Sequence, residues 1–253
     1  MMKNFAATLL IIVFARISGA SSFVPSKTGN PRRTHPLFGT IRFVGNASAR
    51  LETPPVTATG DRDDDRTLSK FIASSASNPV LLGAKEDSKG AISQCERIDS
   101  DDDESAGELW ECKQAGVGWF GMTIVPIFVN RIEKNLPGGD LVISIIDAKT
   151  EVQSGGRVGN TLASAMKRSK FEGRNAVAWK EQNDGSTNDG AQSYVLNGDL
   201  KLTLTITLPP FLPIPPGFNT IGSKIVERTC KERLQQNLRD ISNAYLIWAT
   251  SPE

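Results

Sequence analysis

Histidine occurs once in the 253 residues, at His35, and cysteine three times, at Cys95, Cys112 and Cys230, with no C-x-x-C pair. Beyond residue 51 the chain therefore has no histidine, which excludes Ser-His-Asp and Cys-His nucleophilic chemistry and histidine-held metal there. Odd in number and irregularly spaced, the cysteines are expected as free or buried thiols; their spacing suits neither a disulfide framework nor a zinc site. Gly155-Gly156-Arg157-Val158-Gly159-Asn160-Thr161 has the glycines of a phosphate loop without its spacing or its lysine, so it reads as a plain connection. Glu172, Arg174, Lys180 and Glu181 could move protons, as could Tyr194 and Tyr245, but alternating charges are also what the wet face of a strand carries. Asp99 to Ser105 is acidic yet lacks the turn glycine and spaced ligands of a calcium loop. No catalytic residue, metal ligand or cofactor is assigned.

Charge is distributed unevenly. Residues 1–51 hold seven of the 29 basic residues and none of the 28 acidic ones, leaving 22 basic against 28 acidic from Glu52 onward. A net acidic domain without a basic stripe excludes nucleic acid as a natural partner. Met1 to Ala20 reads as a signal peptide: Lys3, the ten-residue apolar run Phe5 to Phe14, then Ser18-Gly19-Ala20. A bilayer needs about 20 apolar residues, so no transmembrane anchor is expected in the mature form. Ala20-Ser21-Ser22-Phe23-Val24-Pro25 resembles the junction in preproteins of diatom-type algae, where a phenylalanine opens a plastid transit peptide. Phe23 to Leu51, with five basic residues and no acids, has that composition. The expected division is a signal peptide over 1–22, a transit peptide over 23–51, a linker over 52–65 and one domain over 66–250. The destination is then the plastid, reached through the secretory pathway; the alternative is a secreted protein with a basic arm.

The elements that must position any site follow from periodicity. Leu68, Phe71 and Ile72 fall on one face of a short helix, with Asn78-Pro79 as its stop. Strands are predicted over Glu108 to Gln114, Phe120 to Val129, Leu141 to Val152, Phe171 to Lys180 and Leu200 to Leu208. The last is the clearest, because Leu200, Leu202, Leu204, Ile206 and Leu208 alternate with Lys201 and three threonines. Ala47 to Glu52 can supply the first strand, in which case the mature chain begins near residue 43. The proline-rich run Pro209 to Gly217 turns the chain into a long helix from about Asn219 to Ala249. Val226, Cys230, Leu234, Leu238, Ile241, Tyr245 and Trp248 share its apolar face. This order predicts an α+β fold, an antiparallel sheet wrapped on a long C-terminal helix, as in helix-grip domains of the START and pollen-allergen type.

Gly116-x-Gly118-Trp119-Phe120 followed by Pro126, then Pro209-Pro210-Phe211 with Pro213, then Lys231-x-Arg233-Leu234 and Tyr245-x-x-Trp248-Ala249 resemble a domain of unknown function shared by cyanobacteria and plastid-bearing eukaryotes. The resemblance covers roughly Leu68 to Ala249. It implies a plastid setting and brings no chemistry. Phe120, Met122, Phe128, Trp179, Leu204, Leu234, Leu238 and Tyr245 are the candidates to line a ligand space between sheet and helix, with solid core as the plainer alternative. The leading expectation is a non-catalytic protein binding a hydrophobic small molecule. A plastid assembly factor without ligand, and a cyclase- or hydrolase-like enzyme working without histidine, stay open beside it.

Overall fold

The computed structural model describes residues 39–56, 66–83, 92–98, 107–114, 117–119, 122–153, 168–182, 192–208 and 217–251. The signal peptide, Asp99 to Ser105, Gly155 to Thr161 and residues 209–216 of the proline-rich run lie outside them. The elements are β1 (Gly39–Glu52), α1 (Leu68–Ala73), α2 (Asn78–Leu81), β2 (Ile92–Ile98), β3 (Glu108–Gln114), β4 (Val117–Trp119), β5 (Met122–Asn135), β6 (Asp140–Gln153), β7 (Lys170–Gln182), β8 (Ser193–Leu208) and α3 (Phe218–Thr250).

The strands form one antiparallel sheet in the order β1-β8-β7-β6-β5-β3-β2, with β4 beside that path on β5. Alternation along β8 puts Tyr194, Leu196, Leu202, Leu204 and Ile206 on the inner face and Lys201 in water. In β5, Pro126 sits where the partner changes: β3 pairs up to Ile127 and β4 resumes at Ile124. A residue without an N–H is tolerated at such a gap. Thr67 caps α1 by accepting from the Lys70 N–H, and α3 buries Val226, Cys230, Leu234, Leu238, Ile241 and Tyr245 against the sheet. Helix and sheet together are the helix-grip arrangement.

Four expectations are corrected. The strand foreseen over Ala47 to Glu52 begins already at Gly39, so residues 39–46, placed in the transit peptide, are also part of a strand paired along its whole length with β8. Thr53 and Val56 of the expected linker continue this pairing toward Tyr194 and Gln192. Pro79 begins α2 rather than ending α1, since its missing N–H costs nothing in a first turn. Finally, Cys95 and Cys112 are disulfide-bonded, because the β2–β3 register sets them directly opposite with Cα atoms 4.2 Å apart. Only Cys230 is a free cysteine, and it is buried.

Candidate functional site

Ladder register sorts the inner face into rows that run across the strands. One row, Ala49, Gly198, Val177 and Leu141, lies under the C-terminal half of α3 and is largely buried. Another contains Phe43, Leu204 and Phe171 from one side and Phe128 and Cys112 from the other, and these are buried too; Phe128 and Phe171 meet edge to face at 5.4 Å. Between these layers run two rows that are mostly half-exposed. The first is Ala47, Leu200, Asn175, Ile143, Ile132 and Glu108, in which Ile132 alone is buried. The second is Gly45, Leu202, Gly173, Ile145, Asn130, Trp110 and Arg97, buried at its first two members and exposed at the last.

The helix explains the asymmetry. α3 lies directly on β1 and β8: the Phe43 ring occupies the place of a Gly222 side chain, and Leu234 leans its Cδ1 to 2.7 Å from where a Cβ of Gly198 would be. No ligand fits there. Toward β7 the helix presents Asn237, and one turn earlier on the same flank stands the half-buried Arg233. Burial lowers the Arg233 guanidinium below its usual range, partly offset by the charges of Asp240 and Glu232.

Polar groups gather at the far side of these rows. Glu108 accepts from Trp110 Nε1 and from Asn78 Nδ2, each at 3.1 Å, and pairs with Lys134 at 3.4 Å; Lys134 also donates to Asn78 Oδ1 at 2.9 Å. Burial alone would raise the Glu108 carboxyl. The Trp110 hydrogen bond, the charge and hydrogen bond of Lys134 and the charge of Arg97 outweigh it and hold the group below the usual carboxylate range. Among the described residues, no group of three or more His, Cys, Asp or Glu could hold a metal, and no helix is long and apolar enough to cross a membrane.

The residues expected to line a ligand space divide. Trp179, Leu234, Leu238 and Tyr245 share one buried cluster with Leu68, Phe71 and Ile72 of α1. There Trp179 Nε1 donates to Ser69 Oγ at 3.0 Å and Tyr245 donates to the Arg66 carbonyl at 3.1 Å. Phe128 and Leu204 belong to the other buried layer; Phe120 and the Met122 side chain lie outside what is described. Sequence reasoning missed Asn130, Ile145, Trp110 and Asn175. The last left a legible signal, as Phe171, Gly173, Asn175, Val177 and Trp179 form an inward period-two series with one amide in it.

The chain is thus a helix-grip domain with a half-open interior between two packed layers. No protein-family model matches it, and no curated protein does. Among solved structures it is similar to truncated norcoclaurine synthase from Thalictrum flavum (TM-score 0.43, 11% identity, 84% of this chain and 98% of that one). It is also similar to Zhui aromatase/cyclase from a Streptomyces species (0.36, 9%, 81% and 93%). A third is ginseng major latex-like protein 151 from Panax ginseng (0.32, 9%, 81% and 99%). With TM-scores below 0.5 these likenesses carry no weight for function; strand order and helix placement in the chain itself define the fold.

Proposed function

We propose that this chain is a non-catalytic plastid protein that binds a hydrophobic small molecule, of lipid, pigment or isoprenoid kind, between sheet and α3. One observation carries the reading: two mostly half-exposed rows, rich in Ile143, Ile145, Trp110 and Leu200, lie inside the fold between two buried layers. Apolar surface still partly exposed within a domain is where an apolar body is stabilised, at about 25 cal/mol per Å² removed from water. Membership of the domain family shared by cyanobacteria and plastid-bearing eukaryotes, and delivery through a signal and transit presequence, belong to the same proposal. A fluorescent fusion carrying residues 1–38 should enter the plastid, and Phe23→Ala should divert it.

Native mass spectrometry with solvent extraction of the purified protein tests the binding reading. A co-purifying apolar molecule, or stoichiometric uptake of one offered to the stripped protein, is the expected result. A domain that arrives empty and takes up none points to the assembly factor instead.

A further inference from the structure

The Val80 carbonyl can only accept, so the Asn237 amide turns its Nδ2 toward it, 3.5 Å away. Asn237 Oδ1 then faces β7, where Asn175 Nδ2 donates to it at 3.2 Å. This relay orients the Asn175 amide, since flipping it would set two oxygens against each other. Among the described residues, Asn175 Oδ1 is left buried and meets no donor. An acceptor shut away from water without a partner weighs against the folded state and calls for a reason.

The surroundings supply one. The next inward position along β7 is Gly173, and from the neighbouring strand Ile145 leans its δ-methyl to 2.6 Å from where a Cβ of Gly173 would stand. Ile145 is itself only half-buried. Rotation about its side-chain bonds moves that methyl off the glycine and opens room over Gly173, one inward position from Asn175. Ile143 and Leu202, ladder neighbours of Asn175 and Gly173, add apolar surface beside them, and Asn130 follows Ile145 in the same row.

We infer that the space over Gly173 receives the polar end of the ligand, and that this end is a hydrogen-bond donor, a hydroxyl on an apolar body, given to Asn175 Oδ1. The inference rests on the binding reading above and narrows it. Ethers and esters bring only acceptors to an acceptor, so the site discriminates against them by leaving both oxygens desolvated and unpaired.

The test compares 1-decanol with its isomer methyl nonyl ether, which keeps the size and the oxygen and loses the donor. Binding to the whole, lipid-stripped protein is followed by tryptophan emission, Trp110 standing in the same row as Gly173. The alcohol is expected to bind at least tenfold more tightly. That preference should vanish in Asn175→Leu, and Gly173→Ala, whose methyl takes the vacated space, should weaken alcohol binding. Equal binding of both compounds to the wild type overturns the donor assignment while the apolar-ligand reading stands. Binding of neither overturns both. An Asn175→Leu protein that keeps the tenfold preference also overturns it, and the wild-type comparison decides the matter should that variant fail to fold.

Discussion

Gly45 of β1 and Val226 of α3 approach so closely that no side chain fits between them: a Cβ on Gly45 would stand 2.6 Å from Val226 Cγ1 and 2.9 Å from the helix backbone. The helix backbone cannot rotate aside as a side chain can. Gly45→Ala is therefore expected to destabilise by about 1–3 kcal/mol, the range for overpacking. Gly198→Ala should be milder, because what it meets first is the tip of Leu234. Urea denaturation of the two variants checks the order, and equal losses would contradict it.

Leu234 lies fully buried between Gly198 and its neighbours in the α1-side cluster. Leu234→Ala should cost about 2–5 kcal/mol, and Leu234→Phe about 1–3 kcal/mol in the ligand-free protein. A Leu234→Phe domain with unchanged melting temperature would show that this end of the interior is less full than its contacts indicate.

Cysteine chemistry should appear in three steps. Burial, with the charge of Glu227 adding to it, pushes the Cys230 thiol up to about 12, so the nucleophilic thiolate is absent at neutral pH. Iodoacetamide should label none of the three cysteines in the folded protein, one after unfolding without reductant, and three after unfolding with it. The closed loop between Cys95 and Cys112 spans 17 positions, and opening it should lower stability by about 3 kcal/mol. Mass spectrometry counts the labels; finding three without reductant would exclude the disulfide.

The Glu108 carboxyl titrates below its usual range in the folded protein. A group depressed on folding stabilises above its unfolded value, about 4.3, and that contribution is lost as pH falls through the lower, folded value. Melting temperature should therefore drop between about pH 5 and 3 less steeply in Glu108→Gln than in the wild type. At neutral pH the variant should be less stable by about 1.5–3 kcal/mol, since Lys134 loses its carboxylate while remaining largely shielded from water. Parallel pH profiles for the two proteins would contradict the assignment.

Much of this architecture is a matter of period, and period is local. The alternation of Leu200 to Leu208 and the 3.6-residue stripe from Val226 to Tyr245 each require one buried face, so sheet, long helix and helix-grip class follow from residues close in sequence. Register is not local. Only the pairing of β2 with β3 brings Cys95 opposite Cys112, and only the full length of β8 recruits residues 39–46 of β1, whose basic, acid-free composition matches a presequence. The interior was decided the same way. An apolar face along α3 says that it is covered, not by what, and the tertiary structure divides it: Gly45, Gly198 and Gly222 let the helix close down on β1 and β8, while the rows through Asn175 and Ile145 stay half-open because the helix lies to one side of them. Side-chain volume at three distant glycines sets that distance, and no window of the sequence contains all three.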